Sequence, residues 1–307
     1  DPRAQDARAT LTQLQPSQII AVGRRAVFPS AETVAGLVHT ALGGTELPGG
    51  GQVMFPGRRL VAIYGHPGDT NLGILGEQAV DASVNRAHQY AAAYKDVSPE
   101  PVVPVVEIIT TVAAADAGAD GDFSSESSLD HIRPWIEAAA AKGVYVVLDL
   151  QPGYTDFLTQ AQRYEEFLVQ PHVGLALDPE WRLAPGQRHL VDIGSVSAQE
   201  VNATATWLAG LVRDHALPQK LLIVHQFRLD MIRDRGRIAI PPELAVMFQM
   251  DGLGTQDQKL DTWAAVTKGG PAGAWFGWKN FHDEDLPLRS PAQTVALEPS
   301  PLFISYQ

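Results

Sequence analysis

The residue group with the clearest chemical meaning in this 307-residue sequence is Asp178-Pro179-Glu180, which follows the apolar run 173–177. Side chains alternate along a strand, so we expect Asp178 and Glu180 to share a face. Two carboxyl groups held together in a partly dry site repel each other's charge, which raises one pKa and leaves the other group ionised. That division of labour suits general acid catalysis of glycosidic bond cleavage. The alternative is an Asp-Pro turn followed by a solvated glutamate.

Eight apolar runs of strand length recur along the chain after residue 58. Most are continuous rather than alternating, which is typical of strands buried on both faces. Helical patterns occupy several of the intervals, so strands and helices alternate and a parallel sheet is predicted. The apolar runs are 60–64, 102–109, 144–150, 173–177, 221–224, 244–248, 274–278 and 302–306. The helical patterns are 75–94, 129–142, 155–168, 198–215 and 255–268.

The number and spacing of these units favour a closed barrel. Eight units over residues 60–307, at about 31 residues each, match a (β/α)8 TIM barrel. An open doubly wound sheet is the alternative, but it normally carries a G-x-G-x-x-G turn for a nucleotide, and the turn at 65–68 lacks that spacing. We therefore expect an α/β fold, with a (β/α)8 barrel at residues 58–307 and a small N-terminal β-α appendage at 1–57.

The polar residues that follow the apolar runs are the candidate site, because barrel active sites lie at the C-terminal ends of the strands. Glu180 and Asp178 are the first catalytic candidates, and Asp149 and Asp251 are candidates for a second carboxylate. Aromatic side chains offer flat faces on which sugar rings stack. We expect Tyr154, Trp181 and Trp278 to line a cleft at the strand ends. The candidate substrate-binding residues are His66, Glu107, Gln151, Tyr154, Trp181, His225, Gln249, Trp278 and Lys279.

A metal site is the alternative chemistry for the same strand ends. Side chains of mixed nitrogen and oxygen type could surround one ion there, as in metal-dependent barrel hydrolases. Against this, His66 is not part of a His-x-His pair, and no pair of histidines shares a helix. We therefore expect neither a metal nor another cofactor. The set weighed was His66, Glu107, Asp149, Asp178, Glu180 and His225.

The sequence at 174–181, GLALDPEW, resembles the fourth-strand acidic signature of several barrel glycoside hydrolases, among them chitinase-like enzymes and barrel muramidases. That resemblance implies that Glu180 is the proton donor and that Asp178 positions or stabilises the N-acetyl group of the substrate. The chain departs from the chitinase pattern upstream, where Val173 and Ala176 stand at positions that carry acidic residues. It also offers Lys279 and nearby residues after the seventh strand, where another large hydrolase group has its nucleophilic glutamate.

The N-terminal segment carries a second resemblance. Residues 11–23, LTQLQPSQIIAVG, predict a short helix over 10–16 and a strand over 17–23, and Ser30 caps a predicted helix over 31–42. This order resembles the tail of a bacterial type 2 cell-wall-binding repeat, although Arg24-Arg25 replace an expected glycine. The resemblance implies a secreted or cell-surface location. Any β-α connector would give a similar pattern.

Composition limits the remaining function classes. The chain has 23 basic and 35 acidic residues, a net charge of −12, no cysteine and 45% hydrophobic residues. An acidic chain without a basic stripe argues against nucleic-acid binding, and the lack of cysteine excludes disulfides and thiol chemistry. No apolar run has the roughly 18–20 residues of a membrane span, and the polar N-terminus does not resemble a signal peptide.

These observations together predict a glycoside hydrolase-like enzyme that acts on an extracellular or cell-wall polysaccharide by carboxylate general acid/base catalysis. We expect it to act as a monomer, with a polysaccharide or cell-wall glycan as its partner. The alternatives are a non-catalytic barrel at the cell surface that binds a glycan or a protein partner, and a metal-dependent barrel hydrolase.

Overall fold

The computed structural model describes residues 1–16, 18–19 and 30–307. Apart from residues 18 and 19, the strand predicted over 17–23 lies outside the described residues, so the first strand of the appendage stays a prediction. None of the helices in the described ranges combines the length and apolar character that a membrane span needs.

Eight parallel strands close into a barrel, which confirms the predicted (β/α)8 fold. Each strand pairs with the next along the chain, and the barrel closes where β8 pairs with β1, at Leu60 opposite Phe303. The strands are β1 (Arg59–Gly65), β2 (Val102–Ala113), β3 (Tyr145–Leu150), β4 (Val173–Leu177), β5 (Lys220–Gln226), β6 (Leu244–Met250), β7 (Trp275–Asn280) and β8 (Phe303–Tyr306). A short strand, Ser124–Glu126, pairs antiparallel with the end of β2.

Helices cover the outside of the barrel at most of the predicted places, and two further helices precede β1 in the chain. The helices are α1 (Gln5–Leu14), α2 (Ala31–Gly43), α3 (Val80–Ala92), α4 (Leu129–Ala141), α5 (Phe157–Arg163), α6 (Glu165–Leu168), α7 (Ala198–Asp214), α8 (Gln256–Thr267) and α9 (Pro291–Val295). Ser30, Ser128, Ser197 and Thr255 cap four of them by accepting a backbone N–H three residues on. Between β5 and β6 the described chain forms only short 3-10 turns and a two-residue strand, Ile232–Arg233.

Two of the predicted helices are divided. The pattern over 75–94 begins with a 3-10 turn, Ile74–Glu77, and becomes α-helical only at Val80. The pattern over 155–168 breaks at Tyr164, whose hydroxyl donates to the carbonyls of Thr110 and Ser127. The second break is imposed by tertiary contacts, which a helical pattern does not contain.

Alternate residues of each strand point into the barrel, and their character changes along its axis. Near the N-terminal ends of the strands they are apolar and form one buried cluster that includes Val147, Ala176, Ile223 and Met247. Two positions further along, the inward residues of the same strands are polar. They are Tyr64, Glu107, Asp149, Asp178, His225, Gln249, Lys279 and Ser305. The apolar cluster is therefore the floor on which a polar layer lies.

Part of the N-terminal region closes the bottom of the barrel. Leu47, Met54 and Phe55 belong to the same buried cluster as the inward apolar residues, and the Phe55 ring lies 5.5 Å from that of Trp275. The backbone N–H of Gln219 donates to the carbonyl of Gln52. These contacts attach residues 46–58 to the barrel, and the domain boundary at 57/58 remains a prediction.

Candidate active site

The centre of the polar layer is the imidazole of His225, on β5. Its Nε2 atom lies 3.2 Å from Glu107 Oε1 and 3.6 Å from Asp149 Oδ1, and its Nδ1 atom lies 3.2 Å from Asp251 Oδ2. The side chains of His225, Glu107 and Asp149 have no exposed surface, whereas that of Asp251 retains 6%. One ring therefore joins carboxyl groups from β2 and β3 to the carboxyl group that follows β6.

Tyr64 and Lys279 complete the layer from β1 and β7. The Tyr64 hydroxyl donates to Asp149 Oδ2 over 2.8 Å and lies 3.4 Å from the Gln151 amide nitrogen. The Lys279 ammonium lies 3.5 Å from the centre of the Tyr64 ring, a cation–π contact. Gln249 on β6 donates to Ser305 Oγ over 2.8 Å and closes the layer between β6 and β8.

Glu180 reaches the mouth by a turn and not along a strand. The chain leaves β4 at Asp178, and Pro179–Trp181 form a 3-10 turn, so the strand alternation that we used to align the two acids does not apply. Asp178 caps this turn, with its Oδ1 accepting the backbone N–H of Glu180 over 3.2 Å. Proline at the first position of the turn explains the change, because its ring fixes φ and removes a donor that a strand would need.

The turn that carries Glu180 is fixed from the far end of the same loop. The backbone N–H of Gly194 donates to the carbonyl of Glu180 over 2.7 Å. A Cβ atom at position 194 would lie only 2.5–2.6 Å from the carbonyl oxygens of Pro179, Glu180 and Arg182. Glycine is therefore required for this close approach, and the sequence pattern gave no sign of it.

Burial keeps several of these carboxyl groups protonated to higher pH than usual. Burial raises the pKa of Asp149 to about 6, and the Glu107 carboxylate adds to the rise. Burial, followed by the Asp251 carboxylate, raises the pKa of Glu180 to about 7. Burial also raises the pKa of Asp178 well above its usual value, with His225 opposing the rise. The cluster therefore binds protons near neutral pH.

His225 carries positive charge within this cluster. Burial alone lowers the pKa of an imidazole, but the Asp149, Asp251 and Glu107 carboxylates outweigh burial and raise the pKa of His225 well above its usual value. A charged His225 and Lys279 face five carboxyl groups, so two cations do not balance a fully ionised set. The surplus negative charge adds to burial, which is the main cause of the raised carboxyl pKa values.

The prediction that Trp278 lines the cleft is wrong. Its side chain has no exposed surface and packs outside the barrel wall, with its ring 5.7 Å from that of Trp263 on α8. The indole N–H donates to Asn280 Oδ1 over 3.0 Å. Consecutive strand residues point to opposite faces, so Trp278 faces outward because its neighbour Lys279 faces inward.

Tyr154 and Trp181 lie beside the mouth and are held by the loop after β4. The Tyr154 hydroxyl donates to the Gln187 carbonyl over 2.8 Å, and the Trp181 ring lies 5.4 Å from the His189 ring. Both side chains are half-buried. Their contact with a ligand stays a prediction, and the hydrogen bonds and ring contacts of these two side chains within the described residues do not reach the carboxyl cluster.

His66 lies apart from the cluster. Its Nε2 atom is 3.2 Å from Ser127 Oγ, and its ring stacks on His131 at 5.9 Å. Burial lowers the pKa of His66, and His131 lowers it further. The six-residue set weighed as metal ligands is therefore not assembled in one place.

One group of acidic residues in the described part of the chain brings its oxygens within 4.8 Å of one another, and it consists of Asp120, Asp122 and Glu126. It lies in the loop region after β2, outside the His225 cluster. Asp122 already accepts the Ser124 N–H and the Thr155 hydroxyl, while Glu126 pairs with Arg163. Two of its three residues therefore already have partners within the protein.

A cavity of about 1230 Å³ opens at the opposite end of the barrel, beneath Trp275. The arginines in its lining are used internally: Arg3 pairs with Asp1, Arg8 pairs with Glu46, and Arg58 donates to the Pro48 carbonyl over 2.6 Å. His225 and the carboxyl groups around it lie at the other end, so we place the candidate site at the mouth.

Sequence reasoning missed Tyr64 and Ser305 as members of the site. The signal was present in the alternation of β1, because Leu60 and Ala62 are inward apolar residues and Tyr64 follows at the same period. We chose candidate residues by their distance from an apolar run and did not establish which face of each strand points inward. That choice included Trp278 and left out Tyr64.

Comparisons with known proteins give no family for this chain. No family model matches it, and no curated protein matches it. A xylanase and α-amylase inhibitor protein in complex with trehalose matches over 81% of this chain and 92% of its own, at 12% identity and a TM-score of 0.47. A broad-specificity endoglucanase from Clostridium longisporum matches over 75% and 76%, at 10% identity and 0.40.

A D-allulose 3-epimerase from Methylomonas sp. matches over 82% of this chain and 85% of its own, at 12% identity and a TM-score of 0.39. These neighbours differ in activity from one another. The barrel assignment rests on the strand pairings of this chain itself.

Proposed function

We propose that this chain is a glycoside hydrolase-like enzyme that cleaves an extracellular or cell-wall polysaccharide, with Glu180 as the general acid and Asp178 as its helper. The observation that carries this proposal is the position of Glu180, which is half-buried at the barrel mouth beside buried carboxyl groups. A carboxylic acid with a pKa of about 7 holds its proton at neutral pH and can still release it.

Asp251 is the best candidate for the second carboxylate. Asp149 has no exposed side-chain surface and its Oδ2 accepts the Tyr64 hydroxyl, so a substrate does not reach it without rearrangement. Asp251 is more accessible, and His225 Nδ1 stabilises its charge from 3.2 Å. Glu180 would protonate the glycosidic oxygen while Asp251 activates a water molecule or attacks the sugar, and Asp178 would hold the Glu180 turn in place.

The Glu180→Gln variant tests the assignment. We expect hydrolysis of a panel of soluble polysaccharides and purified cell-wall glycans, followed as new reducing ends, to fall by about 10²–10⁴-fold. Glycan binding should survive, because the amide keeps the shape of the acid. Glu165→Gln on the exposed face of α6 is the matched control and should keep full activity.

The alternatives predict different outcomes for the same preparations. Glycan binding without turnover by the wild-type chain on every substrate would replace the enzyme with a non-catalytic binder. Activity lost in EDTA and restored by a divalent cation would replace the acid/base mechanism with a metal-dependent one.

We also propose a secreted or cell-surface location and a monomeric state. The sequence of residues 10–42, with Ser30 capping α2 as the cell-wall repeat pattern requires, supports the location. Co-sedimentation of the chain with purified cell-wall sacculi tests the location, and light scattering during size-exclusion chromatography tests the monomer.

A further inference from the structure

Large exposed apolar side chains in the described barrel region, residues 59–307, are confined to the mouth. They lie on the loops that follow four neighbouring strands, β4, β5, β6 and β7. The residues are Leu190, Val191, Ile193, Leu229, Leu253 and Leu286. We call this set the apolar rim. Scattered single exposed leucines need no explanation, but a set confined to one arc of one face indicates a contact surface.

The tip of the first loop is held rigidly away from the protein. Leu190 is 89% exposed and Val191 is 71% exposed, although the backbone around them is well bonded. Asp192 Oδ2 accepts the backbone N–H of Arg188, and the backbone N–H of Asp192 donates to the Arg188 carbonyl. Leu190 also has a φ of 63°, a left-handed conformation that glycine or asparagine would adopt at lower cost. The loop therefore presents a bulky aliphatic group to solvent despite strain.

The residue types of the rim favour a lipid over a protein or a bare glycan. Protein interfaces draw their binding energy from tryptophan, tyrosine and arginine, with leucine and valine under-represented. The rim is aliphatic, and its side chains stand apart on separate loops. The fluid hydrocarbon phase of a lipid layer accepts side chains that protrude separately, whereas a folded protein partner needs a matching pocket for each of them.

The charges beside the tips point to the kind of lipid surface. Arg188 and Asp192 lie in one loop, and Arg228 and Asp230 form an ion pair at 2.6 Å in the next. These opposite charges balance within the two loops, Asp283 and Glu284 add exposed negative charge beside Leu286, and the chain as a whole carries −12. A surface without net charge complements such a rim, and an anionic surface repels the chain.

We propose that the apolar rim docks the barrel mouth onto a zwitterionic lipid surface, and that the glycan it acts on is presented by a lipid. The loop that carries Leu190 returns to the candidate acid, since Gly194 donates to the Glu180 carbonyl. Docking through the rim therefore brings Glu180 to the headgroup layer. The choice of a lipid-borne glycan rests on the proposed function, whereas the docking itself does not.

Flotation with unilamellar phosphatidylcholine vesicles tests the docking. We expect the wild-type chain to float with the vesicles. The double variant Leu190→Ser/Val191→Ser should lose at least about tenfold in partition coefficient, because each aliphatic side chain contributes through the surface it removes from water. Leu42→Ser is the matched control, since Leu42 is 55% exposed on α2, outside the rim, and it should float like the wild type.

Several outcomes would overturn the docking. They are a wild-type chain that stays with the soluble fraction, a control that loses as much as the double variant, and stronger flotation with phosphatidylglycerol vesicles at low salt. If the wild-type chain is a dimer and the double variant is a monomer, the rim is instead the contact with a second copy of the chain. Equal thermal unfolding of the three proteins shows that the substitutions leave the fold intact.

Hydrolysis separates the two proposals. The double variant should cleave a soluble glycan at the wild-type rate and a glycan carried on phosphatidylcholine vesicles at least about tenfold more slowly. Flotation without hydrolysis on either substrate contradicts the glycosidase and leaves the docking standing. Hydrolysis of the soluble glycan without flotation contradicts the docking alone.

Discussion

His225 and Glu107 meet inside the barrel, with Nε2 of the imidazole 3.2 Å from Oε1 of the carboxylate and neither side chain exposed. The same ring reaches Asp251 from its other nitrogen, at 3.2 Å. An isolated buried charge is costly, and a buried pair is tolerated when each ion has a partner. His225 therefore joins the sealed carboxyl groups above the apolar floor to the Asp251 carboxyl group at the mouth, which retains 6% exposure.

Glu107→Gln should show the strength of this contact. The amide keeps the shape of the side chain but removes the charge that faces His225, and we expect a loss of about 3 kcal/mol in the free energy of unfolding at pH 7. A double-mutant cycle with His225→Gln, measured by urea unfolding, should give a coupling free energy of at least about 1 kcal/mol. Additive effects of the two substitutions would contradict the pairing.

The raised pKa of Glu180 makes stability depend on pH in a definite direction. Its folded-state pKa of about 7 lies above the usual 4.5, so its contribution to stability is fully present below pH 4.5 and is lost as pH rises through 7. Glu180→Gln should therefore become more stable relative to the wild type between pH 5 and pH 8, by on the order of 3 kcal/mol at most. Urea unfolding at four pH values measures the difference.

Glu165→Gln on the exposed face of α6 is the control for that measurement. It should follow the wild-type curve at every pH. A difference of the same size in the control, or a Glu180→Gln curve parallel to the wild type, would show that Glu180 is not held in its acid form by burial.

The activity of the proposed enzyme should fall on the alkaline side of neutrality. General acid catalysis needs the protonated form of Glu180, and with a pKa of about 7 that form is lost as pH rises above 7. We expect kcat/KM on a glycan substrate to drop about tenfold for each pH unit above this value. A profile that stays flat to pH 9 would remove Glu180 from the role of acid.

Gly194→Ala should damage the site while sparing the barrel. A methyl group there would lie 2.5 Å from the Pro179 carbonyl oxygen and 2.6 Å from that of Glu180, so the turn that carries the acid must move. We expect activity to fall at least about tenfold, since small displacements of catalytic groups cost heavily. Gly236→Ala is the control, because a Cβ there meets nothing within 4 Å.

Unchanged activity in Gly194→Ala would mean that the Glu180 turn is not positioned by this contact. Circular dichroism and thermal unfolding of both variants show whether the barrel persists. A Gly194→Ala variant that loses the fold altogether would contradict the expectation that the barrel is spared.

The barrel could be predicted because its strands are recognisable without tertiary knowledge. Val147 and Leu148, for example, are consecutive and both buried, one among the inward residues and the other in the outer core. Strands covered on both faces give continuous apolar runs, and all eight runs correspond to strands. The start of α2 after Ser30 was predicted equally well, because capping is local.

The site could be predicted only in part, because sequence distance does not fix which face is inward. Trp278 and Lys279 were both assigned to the cleft, yet consecutive strand residues cannot both point inward. The turn after Asp178 and the contact from Gly194 depend on a loop that returns from 16 residues further along the chain. Such contacts are properties of the folded loop, and no local pattern announces them.

Lys259 and Asp285 form a buried ion pair that positions the end of β7, and its removal gives the last prediction. The Lys259 ammonium also donates to the Lys279 carbonyl over 2.7 Å, and both side chains of the pair are 3% exposed. Lys259→Met leaves Asp285 buried without its cation, and we expect a loss of about 3–5 kcal/mol in the free energy of unfolding. Asp285→Asn in the same chain removes the unpaired charge but keeps an acceptor for the Phe281 N–H, which Asp285 Oδ2 accepts over 2.9 Å in the wild type. The double variant should therefore regain most of the lost stability in thermal unfolding. A double variant that is less stable than Lys259→Met would show that the broken ion pair is not the reason for the loss.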